Sequence, residues 1–196
     1  NKKVSLIKKL KIPLLGIHNV RNSAAAAAVS LTIGISVSKI KNGLLNFKGV
    51  QRRFNKIFTY NNIEFYDDYA HHPTEIREVL DGVSKVYNKF DKVCIFQPHR
   101  ISRLKDLRKE FSFAFKKADT VLLCPIFTAG EKIKLGFDYL KFAKEIIDNS
   151  KVKLFMIEDI NQLAKFLKRN MHGKKIVIGM GAGSISTWMK KIPKLM

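Results

Sequence analysis

The sequence has little of what would make its class obvious. Two cysteines, five prolines and one tryptophan are spread through 196 residues. Cys94 and Cys124 each sit inside an apolar run, with no CxxC pair and no metal spacing. That excludes a disulfide scaffold and a zinc module, and leaves two buried thiols of a reducing compartment. No unbroken apolar run approaches the about 20 residues of a membrane helix. The longest, 24–37, is interrupted by Ser30, Thr32, Gly34 and Ser36. No secretory signal pattern is present, so the cytoplasm is the expected location. The chain opens on Asn1, not Met, and a piece of a longer protein is expected.

Acid is scarce and unevenly placed. Residues 1–50 hold nine Lys or Arg and no Asp or Glu, whereas 51–196 hold 28 basic and all 16 acidic residues. The shift marks a domain boundary near residue 50. A formal charge of +21 first points to nucleic acid, but lysine supplies 29 of the 37 bases and is scattered along the whole chain. No RRM, zinc-finger or helix-turn-helix signature accompanies it, so a basic RNA- or protein-binding module is the runner-up only.

What is present is a regular alternation. Asn19 is a candidate cap for a helix over about 20–33, built on Ala24–Ala28 and ended by Gly34; Ser36 caps a second helix. Residues 47–54 read as a linker. Strand-like runs at 53–60 and 62–67 flank Asn61-Asn62, which predicts a hairpin. Strands at 92–97, 120–124, 153–157 and 175–179 then alternate with helices at 74–87, 104–117, 138–149, 160–170 and 184–190. This predicts an α/β fold with a largely parallel sheet and one antiparallel edge hairpin.

The chemistry gathers after the hairpin. Asp67-Asp68-Tyr69-Ala70-His71-His72-Pro73-Thr74-Glu75 runs from a strand's end into a helix started by Pro73. In open α/β sheets that edge binds ligands. Gln97-Pro98-His99-Arg100-Ile101-Ser102-Arg103 follows another strand and should crowd the same edge. Arginine at a helix start is disfavoured by the helix dipole, so Arg100 and Arg103 call for an anionic ligand. Asp and His on one turn offer metal ligands, yet adjacent histidines rarely aim at one ion, and no metal is expected. Gly179-Met180-Gly181-Ala182-Gly183 is GxGxG rather than GxGxxG, with no acid about 20 residues on, so a tight turn is favoured over a dinucleotide site.

Taken together, Gly16–Asn22, Gly49–Phe54, Asp67–Glu75, Phe96–Arg103, Ala129–Glu131 and Gly181–Gly183 resemble the Mur ligases in order and spacing along nearly the whole chain. The double-histidine run and the QPHR-x-SR run are closest to the branch that joins L-alanine to UDP-N-acetylmuramate in peptidoglycan precursor synthesis. A branch that recycles muropeptides is the alternative. The resemblance implies that 1–48 end a central ATP-binding domain and that 49–196 are a Rossmann-like C-terminal domain. It also implies ATP and Mg2+ as cofactors, the Mg2+ being held outside this chain, which has no GxxxxGK[ST] run. These 196 residues alone are therefore expected to be inactive. By the same resemblance Asn19 and Asn22 meet the adenine with His18 beside them, Arg53 the phosphates and Asp68 the ribose. His72, His99, Arg100 and Arg103 recognise the alanine carboxylate and the acyl-phosphate end. Residues 47–54 act as a hinge. Ile101 stands where the family commonly has an aromatic residue, and Ser23 where it has alanine.

Overall fold

A computed structural model describes residues 6–14, 16–131 and 137–196. The chain divides into two compact units, Asn1–Val50 and Gln51–Met196.

The first unit is a helix pair. Helix α1 spans Ile17–Thr32 and α2 spans Val37–Leu45. α1 begins three residues earlier than its sequence predicts, behind Gly16 at φ 95°, so Asn19 lies in the first turn rather than capping it. Ser36 caps α2 as expected, its side chain accepting from Lys39 N. Ala27 and Ile40 are the unit's only buried apolar residues among those described, while Val29, Ile33 and Leu45 are exposed. Two short helices cannot bury two apolar faces on each other alone.

The second unit is a six-stranded sheet in the order β1-β2-β6-β3-β4-β5. The strands are β1 Asn55–Tyr60, β2 Ile63–Asp68, β3 Asp91–Phe96, β4 Thr120–Leu123, β5 Lys153–Met156 and β6 Lys175–Met180. Only β1–β2 is antiparallel. Its turn residues Asn61 and Asn62 have φ 48° and 61°. Two successive left-handed residues match the right-handed strand twist, which is why Asn-Asn closes this hairpin.

Helices α3 Pro73–Val86, α4 Ile101–Asp106, α5 Arg108–Ser112 and α6 Tyr139–Ser150 are joined by α7 Ile160–Asn170 and α8 Ile185–Lys191. On one face Tyr66, Cys94, Phe96, Leu123 and Ile178 pack with Leu80, Phe111, Phe115 and Phe142. On the other, Phe65, Ile95, Leu122 and Val177 pack with Leu163, Leu167, Ile185 and Met189. Strands buried on both faces explain their nearly unbroken apolar runs. β5 is the outer edge, with Lys153 and Phe155 exposed.

The single helix expected at 104–117 is two short ones. Ser150 on α6 accounts for the ending: its hydroxyl accepts from Phe115 N at 3.2 Å and donates to Ser112 O at 2.6 Å. Those backbone groups are satisfied from outside, so the helix need not continue. Phe111 and Phe115 nonetheless reach the core, flanking Phe96 at ring distances of 5.8 and 5.2 Å. Phe96→Ala should lower stability by about 3–5 kcal/mol, measured by urea unfolding of the chain, because a fully buried ring leaves a cavity.

Candidate active site

β6 lies between β2 and β3, with Asp68 and Phe96 both in register with Met180. The loops that follow these strands therefore open on one rim.

Asp68 ends β2 and is 2% exposed, so what its oxygens touch decides its part. Oδ2 accepts from Phe54 N and Oδ1 from Ala70 N, both at 2.8 Å. Burial raises its pKa to about 6 against an ordinary 3.8, although the two amides and Arg53 pull the other way. The carboxylate is a clasp between the linker and the turn after β2. Arg53 is exposed and adds to the field at both Asp68 and Glu75.

Arg52 fastens the linker to the glycine loop. Its guanidinium donates to Gly181 O and Ala182 O and lies 4.7 Å from the Tyr69 ring centre. The buried Asp67 accepts from Ser186 Oγ at 2.6 Å. Gln97 completes the loop's support: Nε2 donates to Ser184 Oγ and Oε1 accepts from Ile185 N. A Cβ on Gly183 would stand 2.4 Å from Phe127 Cγ, and one on Gly181 2.7 Å from Gln97 O. The glycines are needed for close packing, in keeping with the tight-turn reading.

The two histidines part company. His72 is the N-cap of α3: Nδ1 accepts from Thr74 N at 3.2 Å, and the Glu75 carboxylate accepts from His72 N. His71 instead lies against His99, ring centres 5.5 Å apart. His99 in turn stacks on Phe127 at 5.6 Å and 10°. Both imidazoles have lowered pKa values, first because burial disfavours the cation. For His71 the Tyr69 carbonyl and Glu75 oppose this. For His99 the neighbouring His71 and arginines reinforce it.

Their tautomers follow from their partners. His71 Nδ1 is 2.8 Å from Tyr69 O, which can only accept, so Nδ1 carries the proton and Nε2 a lone pair. His99 Nδ1 is 3.4 Å from Arg103 Nη1, which can only donate, so the proton is on Nε2. Arg103 Nη1 also donates to His99 O at 2.9 Å. Arg100, half exposed, stands beside them with Nε 3.6 Å from Glu131 Oε1.

Of the residues singled out in the sequence, the structure brings His99, Arg100 and Arg103 together. It turns His72 to the helix and encloses Asp68. His71 takes the place beside His99 that adjacency alone could not allot. The signal available was Pro73: the residue before a helix-starting proline is the cap, which releases its predecessor. Asn19 and Asn22 lie one turn apart on α1, and the His18 side chain lies outside the described residues. Among the described residues no group of three or more His, Cys, Asp or Glu could hold a metal ion. No described helix is long and apolar enough to cross a membrane.

A doubly wound sheet whose rim offers imidazoles and arginines is the frame of a ligand-binding α/β domain. Residues 52–183 match the family described as Mur ligase, glutamate ligase domain. The chain belongs to the Mur ligase family. It is 69% identical over 194 residues to the UDP-N-acetylmuramate–L-alanine ligase of Pelagibacter ubique, covering 99% of this chain and 42% of that protein. The enzyme of that name from Bartonella tribocorum is 37% identical, with 95% and 39% covered. The crystal structure of UDP-N-acetylmuramate–alanine ligase from Thermotoga maritima superposes with a TM-score of 0.74 at 29% identity, covering 94% of this chain and 39% of that one. A murein peptide ligase from Psychrobacter arcticus shares the fold, with a TM-score of 0.70 at 22% identity over 95% and 38% of the two chains. The chain thus spans about two fifths of the length of the curated relatives it matches.

Asp68 gives the rim a measurable pH signature. Between its ordinary 3.8 and its folded value of about 6, the folded chain holds a proton that the unfolded chain has released. Its contribution is therefore full below the lower value and lost as pH rises through the upper one, by about 3 kcal/mol. Glu64 and Glu75, with lowered pKa values, slope the other way. The difference between wild type and Asp68→Asn in urea midpoint at pH 4 and pH 7 isolates the Asp68 part.

Proposed function

We propose that the chain is part of an ATP-dependent ligase that joins L-alanine to UDP-N-acetylmuramate through an acyl phosphate, in the cytoplasmic synthesis of peptidoglycan precursors. The names of its relatives support the reaction. The observation that carries this chain's share is the His71–His99 pair with its opposite tautomers. A lone pair on one ring and an N–H on the other suit the two ends of an α-amino acid zwitterion. Alanine offers little else to hold, and Arg100 and Arg103 add charge for its carboxylate.

ATP supplies the phosphoryl group that activates the muramate carboxylate. The chain's own part is to orient the amine and accept its proton. In this reading the alanine ammonium donates to His71 Nε2. The freed amine attacks the acyl carbon; as the C–N bond forms, the acyl C–O bond to phosphate breaks, and the departing phosphate carries off the amine's second proton. The lowered pKa keeps His71 basic where a free imidazole would begin to protonate. His72 supports the site from the helix cap. By family likeness Asn19 and Asn22, with His18 beside them, are assigned to the adenine and Arg53 to the phosphates. Asp68 shapes the linker behind the ribose, its remaining lone pairs being all it has for a hydroxyl. Mg2+ belongs to residues outside this chain.

The test is steady-state kinetics of the complete ligase. His71→Asn should lower kcat/KM for alanine by about 100-fold or more, the usual scale for losing a general base. The wild-type acid limb should fall below 6.5, the ordinary histidine value. His72→Ala should keep most activity and lose about 1 kcal/mol of stability, as a lost helix cap does. The reverse pattern would show that the wrong histidine has been chosen.

A further inference from the structure

The Thr128–Glu131 turn takes no part in that chemistry, yet its carboxylate ends against Arg100 of the rim. Ala129 and Gly130 have φ 53° and 85°, and Glu131 N closes the turn on Thr128 O at 3.0 Å. A left-handed alanine costs about 1 kcal/mol. The turn sends Glu131 back to the loop after β3. There Oε2 accepts from Ser102 N at 3.1 Å, and Oε1 accepts from Ser102 Oγ. Oε1 is also the oxygen that faces Arg100 Nε at 3.6 Å. The Ser102 hydroxyl and amide, with Arg100, hold the Glu131 carboxyl below its ordinary value, favouring the anion. Among the described residues no hydrogen bond is made to the Nη1–Nη2 edge of Arg100.

We propose that Glu131 is a positioning residue for Arg100. It anchors the guanidinium by its Nε side and leaves the two Nη groups as a fork for a substrate carboxylate. Ser102 is the fixed point: its amide and hydroxyl hold the carboxylate still, so that the carboxylate can hold the arginine. A long, half-exposed side chain otherwise spends much of its time in rotamers that miss the ligand, and ordering it beforehand removes that cost from binding. The purpose of this arrangement rests on the amino-acid reading of the rim; the arrangement itself does not.

Two measurements separate the parts. On the 196-residue chain, the 15N heteronuclear NOE of the Arg100 Nε–Hε group reports whether the side chain is ordered. Glu131→Gln keeps an oxygen for Ser102 and removes only the charge; Glu131→Ala removes both. The Arg100 signal should fall to the value of a free arginine in both variants, with α4 amide shifts unchanged in Glu131→Gln. In the complete ligase, Glu131→Gln should raise KM for alanine about tenfold and leave kcat within about twofold, the pattern of lost ground-state binding. A purely structural role would lower kcat and stability instead. An Arg100 signal equally ordered in wild type and both variants overturns the proposal. A mobile Arg100 with unchanged KM upholds the anchoring and overturns the assignment of Arg100 to the alanine carboxylate.

Discussion

Everything at the rim depends on β6 being hydrogen-bonded on both sides in one register. Asp68 and Phe96 come from strands 28 positions apart, and each ends opposite Met180. Had either ladder slipped by one residue, every side chain of that strand would change face and the buried runs would be exposed. The apolar content of β2 and β3 therefore fixes, at long range, where two short polar loops meet. The site is a by-product of core packing: neither loop contains the information that places it next to the other.

The linker is drawn into this frame by ionic groups as well as by apolar contact, Phe54 stacking on Tyr66 at 4.2 Å. Asp68 grips the Phe54 amide, and Arg52 caps carbonyls of the glycine loop. Asp68 is enclosed and opposed by desolvation, which makes it costly as a source of stability. The value of both contacts is geometric. They tie the linker to the ends of two parallel strands, β2 and β6, where a displacement of an ångström would be felt by any bound ligand.

The fold was largely legible because strand and helix differ in period, and the hairpin because Asn-Asn accepts left-handed backbone. The split of the 104–117 helix was not. It depends on Ser150, a residue of α6 that nothing in the local pattern connects to Phe115. Site residues were legible in kind but not in direction. Charge and position pointed to His72, His99, Arg100 and Arg103, whereas which imidazole meets Thr74 and which meets Tyr69 depends on contacts that adjacency does not reveal. Asp68 shows the same limit. A strand-end aspartate reads as a ligand group, and nothing in the local pattern shows that it also accepts from the Phe54 and Ala70 amides.

The exposed edge strand β5 also has a consequence for how copies of the protein behave toward each other. It is four residues long, and its outward residues are Lys153 and Phe155, with Lys151 just before it. An open edge with an aromatic on it invites a second sheet to dock. Pairing two such edges antiparallel would bring lysines of both chains into one small, newly dehydrated strip, on molecules that each carry +21. Lysine at this edge thus works as colloidal insurance: it keeps a sticky margin of the sheet from finding its own twin.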